Sequence, residues 1–304
     1  MQTTIALIKR NVKLFFKDKG AFFSSLITPV ILLVLYATFL AKVFKDSFNG
    51  AIEGALSGGF VVNNLEGIIN GTVGGQLVSS LLAVSCVTVA FCSNLTMISD
   101  KVTGARKDLL TSPVRRSSLA IAYFCASLLS TLIISYVTTA AGLVYLAFTG
   151  WYLSFGDVML IILDVFLLTS FGVALSSVIN AFLSTSAQAS AVGTIVSAGY
   201  GFVCGAYMPI SQFGEGLRNF LGFLPGTYGT SIIRNHALAG VFREMSAQNF
   251  PAEAIEGIKD SVDCNLYFFG AKVSEAAAYG VLVGSVLLLI GAFVLINVLR
   301  KKRS

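Results

Sequence analysis

Residues 73–98, VGGQLVSSLLAVSCVTVAFCSNLTMI, run for 26 positions without a charged side chain, and the stretch that follows, SDKVTGARKDLLTSPVR (99–115), carries six. A bilayer's hydrocarbon core is about 30 Å thick and is crossed by a helix of about 20 mostly apolar residues. The first stretch therefore reads as a membrane span and the second as a polar link held outside the lipid. Working outward, the same reading finds apolar runs at about 22–44, 118–148, 157–182, 187–209 and 277–299, six spans in all. The runs are continuously apolar, whereas a barrel strand alternates over about ten residues, so helices are expected. Composition agrees: of 304 residues 55% are hydrophobic and 12% charged, with a mean hydropathy of +0.81. Soluble domains carry about a quarter charged residues, which excludes an ordinary water-soluble enzyme and a disordered chain.

The net charge of +6 is not spread evenly. Lys9, Arg10, Lys13, Lys17 and Lys19 precede the first span. Lys101, Arg106, Lys107, Arg115 and Arg116 link the second to the third, and Arg300, Lys301, Lys302 and Arg303 follow the last. With their acids these segments sum to +11, against −4 on the opposite side. Positive residues stay in the cytoplasm, so both termini are expected there. Three separate juxtamembrane clusters also argue against nucleic-acid binding. A cleaved signal peptide fits poorly, because about 20 residues precede an apolar run longer than a signal's core.

Residues 1–21 have a helical pattern, with Ile5, Ile8, Val12, Phe15 and Phe16 on an arc of roughly 100° beside the basic residues. Either an amphipathic helix in the membrane interface or a plain topological anchor satisfies it. The 99–117 link has a helical middle, Val102, Leu109 and Leu110 beside Arg106 and Lys107, which Pro113 ends or redirects. Residues 182–188 form a tight, uncharged polar turn. Gly193, Ser197, Gly201 and Gly205, four apart, put small residues on one face of span five, suited to packing within the chain or to a dimer seam. After Pro209 come two short apolar pieces separated by Pro225-Gly226, too short to span. They suggest a broken re-entrant outer segment within a cap at about 210–276. Residues 300–304 form a basic tail.

Chemistry is sparse. No Gly-Lys dipeptide exists, so the chain lacks the phosphate-binding loop built on it. No His/Cys/carboxylate spacing suits a metal. Cys86, Cys92, Cys125 and Cys204 read as small hydrophobes, and Cys264 as external and unpaired unless it meets Cys204 or another chain. Asp164 is the one ionisable group well inside a span, either a functional carboxylate or a structural one paired with a base such as Arg234.

The order of these features resembles the ABC-2 type permeases of ATP-binding-cassette exporters. The resemblance rests on the interfacial helix, six spans with both ends inside, DKVTGARKDLLTSP (100–113), YMPI (207–210), LPGTY (224–228) and Ile233-Arg234. Asp100 and Ala105 stand where members commonly have Glu and Thr. The resemblance implies an all-α fold in which 99–117 is the coupling helix on a separate ATPase subunit, with Asp100, Gly104, Arg106, Leu109, Leu110 and Pro113 at the contact. The 182–188 turn would be a second contact. Two ATPases, binding ATP and Mg, and a second permease chain would complete the unit. Spans two and five would line a path, with candidates Phe91, Asn94, Tyr200, Phe202 and Met208. The cargo class would be amphipathic, lipid-like, drug or peptide, moved outward across the cell membrane. A stand-alone secondary transporter or channel, and a subunit that only recruits an ATPase, are the competing readings. None places an enzyme active site in this chain.

Overall fold

The computed structural model describes residues 2–42, 45–46, 64–111 and 114–299. The basic tail, Pro113 and the segment after the first apolar run lie outside them. Among the described residues the fold is helical apart from one two-residue hairpin, Tyr267–Phe268 against Ala271–Lys272.

The first helix, α1 (Gln2–Lys17), buries Leu7, Asn11 and Phe15, spaced four apart and so on one face. Ile5, placed by periodicity on the apolar arc, is exposed. The helix thus has a protein-facing stripe toward the third span as well as an outward apolar edge. Asp18 starts α2 (Lys19–Leu35) by accepting from the Ala21 amide at 3.0 Å, and the two helices meet at 71°. A π turn, Tyr36–Leu40, extends α2, and buried Tyr36 donates to the Ala206 carbonyl at 2.8 Å.

The central element is α3 (Leu65–Ser93), which packs against α2, the next two long helices and two helices from the second half of the chain. It is buried nearly all round, as an evenly apolar helix must be. Its hydroxyls avoid an unsatisfied interior by donating within the helix: Thr72 to Ile68, Ser85 to Leu81 and Thr88 to Val84. The span expected at 73–98 thus begins at Leu65, and after a break at Asn94 continues as α4 (Leu95–Val102).

A short α5 (Ala105–Thr111) leads to α6 (Arg116–Thr149), so the expected 99–117 helix is in fact split at Gly104. Helix α7 (Phe155–Phe182) starts with a capping box between Ser154 and Asp157. The uncharged turn after it holds a second box, in which Thr185 caps α8 (Ser186–Val203) and Gln188 reaches back to the Ser184 and Thr185 amides at 2.9 and 3.3 Å.

Beyond α8 come α9 (Glu215–Leu221), α10 (Pro225–Ala247), α11 (Ala252–Ser261), the hairpin and the last helix, α12 (Glu275–Leu299). Here the structure corrects the sequence reading. Pro225 begins a helix of 23 residues, where a short piece at 227–239 was expected. Proline at the first helical position loses no hydrogen bond and has its φ preset, so Pro225-Gly226 is a start signal.

Four helices are long and apolar enough to cross a membrane, or five when α1 and α2 count as one bent span. The expected fifth span, α8, has only 18 residues and is diluted by Gln188, Ser190, Thr194 and Ser197. The count of six therefore exceeds what length and hydropathy mark among the described residues.

Candidate functional site

Two polar assemblies stand out, at opposite ends of the bundle. The first lies at the basic end, where α4 gives way to α5. Asp100 is 5% exposed and receives both Arg10 terminal nitrogens, at 2.6 and 3.0 Å, and the Tyr123 hydroxyl at 2.6 Å. One carboxylate thus ties α1, α4 and α6 together in a two-pronged charged pair, the strong form of such a bond. The bond to Asp100 raises the pKa of Arg10 further still. The next residue, Lys101, donates to the carbonyls of Asn180, Ala181 and Leu183 at 2.8, 3.2 and 2.9 Å. A cation on the free carbonyls of a helix end is favourable, and this one locks α4 to the end of α7.

Gly104, at φ +86°, supplies the left-handed turn that starts α5, a conformation glycine adopts without strain. On α5 the half-buried Leu109 and Leu110 pack against a cluster containing Leu119 and Phe293. Arg106 is half-buried, while Val102, Thr103, Lys107, Asp108 and Thr111 face outward. The residues proposed from sequence for a partner contact are therefore largely the inward side of the link. Asp100 is occupied within the chain, and Pro113 lies outside the described residues.

The second assembly is buried. Arg234 is 0% exposed and donates to the carbonyls of Val262 and Gly205 at 2.7 and 2.8 Å and to the Ser80 hydroxyl at 3.2 Å, with Asp263 at 3.6 Å. Asp263 in turn accepts from the Ile210 and Ser211 amides. Asp164 is 1% exposed and pairs not with Arg234 but with His236, whose Nδ1 lies 2.6 Å away, and with the Tyr279 hydroxyl at 2.5 Å. His236 Nε2 lies 3.2 Å from Glu275. The reason is helical phase: two residues apart on α10 means about 200° around the axis, so Arg234 faces α3 and the cap while His236 faces α7 and α12.

The remaining sequence candidates are dispersed. Phe91 is buried, and Asn94 is buried at the α3–α4 break with its amide donating to Ser176 and Ser177 at 3.0 and 2.8 Å. Tyr200 lies half-buried against Gly226, whereas Phe202 and Met208 are exposed. The structure does not gather these five around one opening. The small-residue row is also divided. Gly193 faces open space. Gly201 lies under the ring of Tyr207, whose hydroxyl reaches the Ser197 carbonyl at 3.5 Å, and Gly205 makes a left-handed turn at φ +74°. Packing within the chain thus accounts for the Ser197–Gly201 part.

Sequence reasoning missed Arg10, Lys101, Tyr123, Asp263 and Tyr279 as partners. Among the described residues no cluster could hold a metal ion, and the five cysteines are free. Burial pushes the Cys264 thiol up to about 12, so it stays protonated.

Comparison with known proteins adds a family. Residues 2–237, more than three quarters of the chain, match the family model described as ABC-2 type transporter. A comparison with curated proteins gives no match.

Proposed function

Because the chain belongs to the ABC-2 type transporter family, and so is a multi-pass ABC transport permease, we propose that it moves an amphipathic cargo outward when a separate ATPase subunit pushes on α5. The observation that carries this reading is the basic-end junction: Asp100 and Lys101, adjacent in the chain, fasten the root of α5 to α1, α6 and the end of α7. In this reading the basic end is cytoplasmic, the bundle has six spans with α8 as the fifth, and α9–α11 with the hairpin close the outer side. The working unit contains two permease chains and two ATPases, which bind ATP and Mg. The largely uncharged interior and the lipid-facing apolar helices suit a lipid-like, drug or peptide substrate.

The mechanism follows from rigidity. A push on α5 reaches three long helices at once through charged bonds instead of dissipating in a loop. The bundle then shifts between two arrangements that nucleotide state favours differently. The outward residues of α5, with Val102 at the end of α4, are the docking surface in this scheme. Val102→Asp with Lys107→Glu should abolish co-purification of the ATPase while leaving the permease inserted. Undiminished co-purification and ATP hydrolysis would overturn the docking role. The stand-alone carrier reading draws on the Asp164–His236–Glu275 cluster; uphill transport by the purified chain alone, in vesicles with a proton gradient and no ATP, would establish it instead.

A further inference from the structure

At the basic end, a groove of about 560 Å³ runs between the first turns of α6 and the last turns of α12. That volume lies within the range, about 300–1,000 Å³, of sites that hold small ligands. Its walls are Ile121 and Phe124 on one side and Ile290 and Phe293 on the other. The Phe124 and Phe293 rings, with centroids 6.4 Å apart, close its deep end. Arg115 and Arg116 stand exposed at its mouth, and among the described residues no acidic side chain lines it. From Arg116 to Phe124 is about 12 Å along a helix axis, most of the depth of one leaflet's hydrocarbon, about 15 Å.

The site is thus graded in a single direction. Two guanidinium groups sit at headgroup level, and an apolar slot descends from them toward the acyl chains. The N-terminus of α6 adds partial positive charge at the same mouth, and the chain runs on from α12 into Arg300, Lys301, Lys302 and Arg303. A zwitterionic headgroup would bring its own cation to this mouth, whereas an anionic one would not. Arginine also offers planar paired donors that match phosphate oxygens.

We propose that the groove binds one anionic phospholipid, its phosphate between Arg115 and Arg116 and one acyl chain along the Phe124–Phe293 end. The lipid bridges α6 to α12, the least buried of the four helices long and apolar enough to cross a membrane alone. The inference rests on the membrane embedding of the chain; the proposed orientation only decides that the inner leaflet supplies the lipid.

The test is native mass spectrometry of the purified full-length chain, titrated with phosphatidylglycerol or with phosphatidylcholine of the same acyl composition. One phosphatidylglycerol should bind with roughly 10–30-fold preference, the effect of two juxtamembrane cations. Arg115→Gln with Arg116→Gln should reduce that preference to within twofold. Val294→Trp, which fills the groove from an exposed position, should lower binding of both lipids. Lys9→Gln with Lys13→Gln, an equal charge loss on α1, should leave the preference intact. Equal binding of the two lipids by the unaltered chain, or an equal loss in the α1 variant, would overturn the proposal. So would a change of oligomeric state in Val294→Trp without any change in lipid binding, which would make the groove a protein interface. None of these outcomes depends on an ATPase, so failure here is distinct from failure of the docking test.

Discussion

The two ends of the bundle handle charge in opposite ways. At the basic end, Asp100 is buried but its partner Arg10 keeps about a third of its side chain in solvent, and the assembly borders an exposed surface. At the other end, Arg234 and Asp263 are both enclosed, and the guanidinium spends its donors on two backbone carbonyls and a hydroxyl, with the acid beside it at 3.6 Å. Taking charges out of water is costly unless the groups find partners, and the buried network meets that cost for both terminal nitrogens of Arg234 with bonds that have no solvent substitute, leaving only its Nε without one. The basic-end pair keeps its cation in contact with solvent. The buried network is built to hold a shape and the basic-end junction to pass a displacement on.

Removing Arg234 should cost the most. Arg234→Met leaves Asp263 buried without its cation and is expected to destabilise the fold by about 3–5 kcal/mol, read as a fall in thermal unfolding temperature in detergent. A loss under 1 kcal/mol would erase the contrast between the ends. Next is the intramembrane pair: Asp164→Asn should cost about 2–3 kcal/mol. A double-mutant cycle with His236→Gln should recover at least 1 kcal/mol of coupling, whereas the same cycle with Arg234→Met should show far less.

At the basic end the expected signature is different. Arg10→Gln should lower stability by only about 1–2 kcal/mol, yet reduce permease-stimulated ATP hydrolysis by the partner about tenfold. Stability loss with unchanged stimulation would make the junction an ordinary brace. The smallest effect belongs to the exposed cap, where hydrogen bonds from Lys259, Lys272 and Asn265 hold the Glu256 carboxyl down at about 2. A depressed pKa contributes stability above the unfolded value, near 4.5, and loses it as pH falls toward 2. Hydrogen-exchange protection factors in α11 and the hairpin, taken relative to the intrinsic rate at each pH, should therefore fall between pH 5 and 3, and Glu256→Gln should abolish that dependence.

What could be read from the chain divides along physical lines. Apolar runs such as 157–182 and 277–299 were legible because span length is set by bilayer thickness, a property local to the segment. α10 was not, because Arg234, Asn235 and His236 lower its hydropathy although the fold buries Arg234 and His236 deeply. Burial here follows from partners on α3, α7 and the cap, which no window of sequence contains. Asp100 was singled out as a contact for a partner subunit, whereas its place as an internal tie depends on Arg10, 90 positions away. Asp164 invited a basic partner, and two lay on α10 within three residues; only the phase of a helix whose start was misread decides between them.

The corner at Asp18 has a mechanical consequence. Because α1 and α2 meet at 71° and the turn is fastened by the Asp18 cap, an axial thrust on α1 delivers only about a third of its travel along α2. The rest arrives sideways, as a torque that swings the first span about its root. Tyr36, anchored near the far end of that lever, would then be dragged across the tip of α8 even by a small stroke at the surface.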